Sequence, residues 1–227
     1  MTTRDIDEIL DRAVTGESGS IAVGRTKERI VSSLRPVRPL APRWVWAGGF
    51  LLVFAAVAVA GAAGLGMYGL RALSGVQQAI VFAAVAAAVT VAAVALAREM
   101  IPAGGRRIAG AALLAAVVGL PVIFALLFHD YGTRRFVPQG VACLRAGLSF
   151  AIPAAIALCL LARRGFVLSL TAVGLATGTL AGLAGIGVLE IHCPILNAMH
   201  IMVWHVAVVA VSGVVGWGIG ALVRRFR

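Results

Sequence analysis

The sequence predicts an all-α, polytopic membrane protein, with six transmembrane helices in a bundle and a short helical N-terminal segment. Two observations predict this class. Of the 227 residues, 61% are hydrophobic and only 13% are charged, whereas a soluble domain of this size carries about a quarter charged residues. The apolar residues also form runs of about 20, the length that crosses the hydrocarbon core of a bilayer. The lipid bilayer is therefore the expected surrounding of most of the chain.

The N-terminal segment, 1–43, is polar and precedes the first apolar run. Two short helices are predicted in it from apolar residues at helical spacing. These residues are Ile6, Ile9, Leu10, Ile30, Val31 and Leu34. Their stripes are too narrow to form a stable core alone, so we expect the segment to become ordered on binding a partner. The alternative is a disordered tail without a role.

Six apolar segments follow in the remaining domain, 44–227. They are placed near 45–68, 75–97, 108–128, 139–162, 166–189 and 197–222. Gly174, Gly178 and Gly182 recur every four residues in the fifth segment. Small residues at this spacing let helices approach closely in lipid, so we expect these glycines to pack against a neighbouring helix of the same bundle.

The distribution of positive charge predicts the orientation. Sixteen of the 20 Lys and Arg residues lie in segments on one side of the predicted bundle, and three lie in loops on the other. The positive-inside rule then places both termini in the cytoplasm. Because the arginines flank the apolar runs, topology explains the net charge of +11, and no direct binding of nucleic acid is expected.

Most of the reactive side chains gather on the predicted outer face. The candidate metal ligands there are Cys143, Cys193, His129, His192, His200, His205 and Glu190. Thiolate and imidazole ligands favour zinc or a similar ion, so a divalent metal such as zinc is the candidate cofactor. Alternatively, Cys143 and Cys193 form a redox-active pair in an oxidising compartment. A third interpretation is polar packing without a ligand.

Helix periodicity argues against a simple metal site. His200 and His205 are five residues apart, so in an α-helix they are offset by about 140°. On that basis, both reach one ion only with help from the preceding loop. No catalytic residue is assigned and no enzyme is expected. Against a thiol–disulfide or haem-binding membrane enzyme, the chain has no C-x-x-C pair and no histidine pair on another helix at the depth of His200 and His205. A small metal or solute transporter, or another membrane metal-binding protein, is the alternative function, although the spans lack the buried charges typical of an ion path.

Three short motifs resemble a known family. L-R-P-V-R-P-L (Leu34–Leu40) leads into the spans, C-L-R (Cys143–Arg145) opens the fourth, and H-C-P (His192–Pro194) precedes the sixth. This pattern is similar to the NrsF-like family of six-helix membrane anti-sigma factors, which restrain extracytoplasmic-function sigma factors in bacteria. The resemblance implies a sigma factor bound by segment 1–43 and a sensor domain in the bacterial inner membrane. It also implies that Cys143 and Cys193 sense metal or oxidative stress.

Overall fold

The computed structural model describes residues 27–29, 31–33, 41–100, 106–167 and 169–226. The chain divides into two compact units, Met1–Pro39 and Leu40–Arg227. In the first unit, 27–29 and 31–33 are helical, and the side chain of Val31 is exposed. The other predicted partner-binding residues lie outside the described part of the chain. They are Ile6, Ile9, Leu10, Ile30 and Leu34.

The second unit is a helical bundle, without a strand among its described residues. The helices are α1 (Arg43–Leu65), α2 (Tyr68–Ala72), α3 (Gly75–Glu99), α4 (Arg106–Leu127), α5 (Phe136–Ala162), α6 (Leu170–His192) and α7 (Ala198–Arg225). The predicted all-α class is confirmed. Within the described residues, five helices, α1, α3, α5, α6 and α7, are long and apolar enough to cross a membrane. In α4 the described apolar stretch, Leu113–Leu127, is shorter than these five helices. Six spans therefore remain a prediction.

Helix α6 lies at the centre of the bundle. It contacts α1, α3, α5 and α7, and every residue from Ala176 to Glu190 is buried. Its sequence suits this position because it is rich in Gly, Ala and Leu and carries its only acidic residue, Glu190, in the last turn. The side chain of Ser169 accepts a hydrogen bond from the Ala172 backbone N–H and caps the other end. The residues that follow α6 lie at the opposite end of the bundle from this cap, where α5 and α7 begin. We call this the cluster end.

The repeated glycines of α6 form a close seam with α7. A Cβ on Gly174 would overlap the carbonyl of Gly216, and a Cβ on Gly178 would overlap the carbonyl of Ser212. Gly182 faces the backbone of Val209 in the same way. The expected packing between helices of one bundle is therefore confirmed, and it fixes α6 and α7 backbone to backbone.

This seam predicts opposite outcomes for two glycine substitutions. Gly178→Ala would introduce a methyl group where the Ser212 carbonyl lies, and we expect destabilisation of roughly 1–3 kcal/mol through overpacking. Gly218→Ala on α7 is the matched control, because no atom of the described residues lies within 4 Å of its added Cβ and alanine favours helix. Thermal unfolding of the two variants in detergent measures the difference. Equal midpoints would contradict the close seam.

Candidate metal-binding site

Four side chains from three parts of the chain meet at the cluster end. They are Cys143 on α5, Cys193 directly after α6, and His200 and His205 on α7, and one ligand atom from each lies within 4.8 Å of all the others. The Cys143 and Cys193 Sγ atoms are 3.6 Å apart, and Cys193 Sγ is 3.7 Å from His200 Nε2. Cys143 is half-buried and the other three are buried. Two thiols and two imidazoles around one point form the donor set of a tetrahedral zinc site.

A π-helical turn brings the two histidines together. Residues Ile201–His205 of α7 form this turn. Since π-helical hydrogen bonds run from residue i to i+5, side chains five positions apart stack on one face. The rings of His200 and His205 accordingly meet edge to face, with centroids 5.3 Å apart. The offset of about 140° expected for an α-helix therefore does not occur.

The π turn is packed against α5 by its aromatic residue. Trp204 lies over Gly140, where any Cβ would overlap the indole ring. The indole also contacts the ring of Phe136, at a centroid distance of 5.5 Å. Only glycine leaves room for this approach, so Gly140 allows the turn carrying His205 to lie flat on the helix carrying Cys143.

Glu190 lies behind the cluster and holds one of its histidines. Its Oε1 atom is 2.7 Å from His205 Nδ1, and both side chains are almost completely buried. The other ring nitrogen, His205 Nε2, is buried and has no hydrogen-bond partner among the described residues. A buried ring nitrogen without a partner beside two thiols is the feature of this site that best fits a bound cation.

The thiol of Cys193 lies outside the helices, in the turn between α6 and α7. Its hydrogen bond with Cys143 raises the pKa of the Cys193 thiol above its ordinary value, and burial raises it further. The metal-free thiol is therefore protonated at neutral pH. A metal must displace this proton, because the thiolate is the ligand.

Metal affinity should consequently depend on pH. We expect it to increase steadily between about pH 6 and 8, because a raised thiol pKa keeps protons competing with the metal throughout this range. Competition with a chelator of known affinity at each pH measures the dependence. An affinity that is constant across the range, once the chelator's own protonation is corrected, would contradict thiolate ligation.

A hydrogen-bonded clamp fixes the start of α7. The Ala198 backbone N–H donates to the carbonyl of Asp130, at 2.7 Å. The Asn197 side chain donates to the carbonyl of Gly132, at 2.8 Å, and its Oδ1 accepts from the His200 backbone N–H, at 3.0 Å. The Gly132 backbone N–H and then the Asn197 amide lower the pKa of the Asp130 carboxyl. Asn197 thus caps α7 and ties it to the loop after α4.

Removing this clamp should lower both the metal affinity and the stability of the fold. For Asn197→Ala we expect a loss of stability of about 0.5–2 kcal/mol, as for other N-caps, together with a reduced metal affinity, since His200 is no longer fixed. Ser169→Ala is the matched control, because it removes the N-cap of α6 at the opposite end of the bundle. It should lower stability and leave metal affinity unchanged. Equal metal affinities in the two variants would show that the clamp does not position the site.

The other predicted ligands lie elsewhere. Glu190 lies beside His205 and outside the four-residue group. His192 is directed away, with Nδ1 3.4 Å from the Gly66 carbonyl and its ring against Tyr68. His129 is exposed in the loop after α4. Of the residues that position the cluster, Asn197 had a sequence signal, because asparagine is a preferred N-cap; Gly140 had none.

Comparison with known proteins agrees with the motifs. The model of a protein family described as NrsF, negative regulator of sigma F, matches residues 30–226. The chain belongs to the NrsF family. The match includes every helix of the bundle and all four clustered residues, and the family's members are negative regulators of a sigma factor, a role that is not normally catalytic. No curated protein and no solved structure matches the chain.

Proposed function

We propose that this NrsF-family protein is an anti-sigma factor of the bacterial inner membrane. It sequesters an extracytoplasmic-function sigma factor through segment 1–43 and releases it when the cluster of Cys143, Cys193, His200 and His205 responds to metal stress. The observation that carries the sensing role is the convergence of these four donors within 4.8 Å at one end of the bundle. The arginine distribution supports a periplasmic position for that end.

Sequestration is supported by the family and by the composition of the N-terminal segment. The family match identifies a negative regulator of a sigma factor, and the segment carries two short apolar stripes on an otherwise polar chain. Such stripes bind as amphipathic helices in the grooves of a partner. Val31, one of the proposed anchors, is 57% exposed and is therefore accessible to a partner.

The four donors belong to elements that extend to the other end of the bundle. Cys143 is on α5, Cys193 follows α6, and both histidines are on α7. A cation held by all four would fix the relative positions of these three helices at the cluster end. Because the glycine seam joins α6 and α7 backbone to backbone, a displacement there is transmitted along the helices rather than absorbed by side chains. Release requires that metal and sigma factor prefer different arrangements of the bundle.

The simplest test uses the full-length protein and the sigma factors of its source genome. Membranes containing the protein should retain one extracytoplasmic-function sigma factor, and membranes without it should not. A promoter that depends on that sigma factor should then respond to zinc or cadmium in cells. Failure to retain any sigma factor would contradict sequestration, whereas retention without a response to metal would contradict only the proposed signal.

Oxidation is a second candidate signal, favoured by the distance of 3.6 Å between the two Sγ atoms. A disulfide requires about 2.05 Å, so a movement of about 1.5 Å would join them. In that reaction an oxidant takes two electrons, two protons leave the thiols and one S–S bond forms.

Because the disulfide removes both thiolate ligands, we predict that zinc protects the pair against oxidation by diamide. Equal rates of thiol loss with and without zinc would show that the thiols are not ligands.

A further inference from the structure

Glu190 and His205 form a buried pair that the four-ligand cluster does not itself explain. The carboxylate is only 3% exposed and the imidazole 1% exposed. Burying two such groups among apolar helices is unfavourable, and a buried pair is often no more stable than well-packed apolar residues. A buried pair with Glu190 on the Ala-, Leu- and Gly-rich helix α6 and His205 on α7 therefore points to a role other than stability.

The geometry of the pair indicates this role. Because Glu190 Oε1 is 2.7 Å from His205 Nδ1, a proton on Nδ1 lets this nitrogen donate a hydrogen bond to the carboxylate. Nε2 then carries the free lone pair, since a neutral imidazole has one donor and one acceptor nitrogen. Nε2 is also the buried nitrogen that has no hydrogen-bond partner in the described part of the chain. Histidine ligands of metals are commonly oriented by a carboxylate in this way.

We propose that Glu190 is a positioning residue that makes His205 the fourth ligand and thereby determines which ions the site selects. This inference rests on the proposed metal-sensing function. With His205 in place, two thiolates and two imidazoles form a closed site suited to four-coordinate ions such as Zn²⁺, Cd²⁺ and Co²⁺. Without it, two thiolates and one imidazole leave a coordination position open. Binding releases the two thiol protons and transfers no electron.

Glu190 contacts the histidine at the end of the π turn. His205 is the last residue of that turn and, among the described residues, the only one of the four donors with a buried carboxylate on its ring. His200 is held differently, through its backbone N–H on Asn197. Loss of Glu190 should therefore affect one imidazole ligand and leave the other three donors in place.

Coordination measured in the purified full-length protein tests the proposal. X-ray absorption of the zinc-loaded protein should show two sulfur and two imidazole ligands. Glu190→Ala should retain both sulfurs, replace one imidazole by an oxygen ligand, seen as loss of the outer-shell scattering of one imidazole ring, and weaken Zn²⁺ binding by roughly 10–100-fold, the range typical of a lost outer-sphere partner. Glu99→Ala is the matched control, because Glu99 is a buried carboxylate at the opposite end of the bundle. It should leave both measurements unchanged.

A second variant keeps the shape of the side chain, so that the proposal can be tested even if Glu190→Ala does not fold. Glu190→Gln is compared in the native background and in a His205→Ala background, using Co²⁺ absorption and Zn²⁺ affinity. We expect it to weaken Zn²⁺ binding several-fold in the first and to have no effect in the second. The same loss in both backgrounds, or unaltered coordination in Glu190→Ala, would overturn the positioning role. A native protein that binds no zinc through sulfur would instead contradict the proposed function itself.

Discussion

Replacing Cys193 by Ser is expected to weaken zinc binding by more than about 100-fold, beyond the range for a lost outer-sphere partner. Cys193 contacts two of the other donors, since its Sγ lies 3.6 Å from Cys143 Sγ and 3.7 Å from His200 Nε2. A serine hydroxyl at this position does not ionise at neutral pH and is a poor ligand for zinc. Chelator competition with the purified protein measures the loss.

The chain supplies its own control for this substitution. Cys159 is on α5, sixteen residues after Cys143, and therefore about 24 Å along the helix from it. It is exposed and lies outside the cluster, so Cys159→Ser should leave zinc affinity unchanged. Equal losses in the two variants would indicate that zinc binds at scattered thiols, and an undiminished affinity in Cys193→Ser would place the metal elsewhere.

The second large effect concerns the N-terminal segment. Ile6→Asp combined with Leu10→Asp in the full-length protein should reduce sigma-factor binding by on the order of 100-fold or more, because two apolar anchors are replaced by charges that a groove cannot accommodate without partners. Zinc affinity should not change. Binding is measured by titrating labelled sigma factor onto the protein in nanodiscs.

A substitution on the opposite face of the same predicted helix is the control. Glu8 lies about 200° from Ile6 at 100° per residue, and Glu8→Gln should therefore retain native affinity for the sigma factor. If the double variant also binds with native affinity, the predicted apolar stripe is not the binding surface. If Glu8→Gln binds as weakly as the double variant, the loss is not specific to the apolar stripe.

The helices could be predicted from the sequence because the length and composition of each apolar run depend only on local residues. The seam of Gly174, Gly178 and Gly182 was predictable for the same reason, since its spacing repeats in a single helix. The short helix α2 was not predicted, because Tyr68–Ala72 has too few residues to show a period. The gathering of the cysteines and histidines at one end of the bundle was predictable from the order of the spans.

All four members of the cluster are among the seven candidate ligands, but which of the seven meet could not be predicted, because it depends on a departure from α-helical periodicity. His205 joins His200 only through the π turn, which no apolar pattern indicates. His192 is adjacent to Cys193 in sequence, yet its ring packs on Tyr68, because successive residues at a helix end point in different directions. Glu190 acquired its position behind His205 from packing between α6 and α7, a contact between residues fifteen positions apart.

The affinity of the full-length protein for its sigma factor, measured in nanodiscs with and without zinc, tests the central claim most directly. The claim predicts that occupancy of the cluster lowers this affinity at least tenfold, which corresponds to a coupling free energy of about 1.4 kcal/mol. The Cys193→Ser variant should show no such change. An affinity that stays the same while zinc is shown to occupy the four-ligand site would contradict the claim that this cluster controls release.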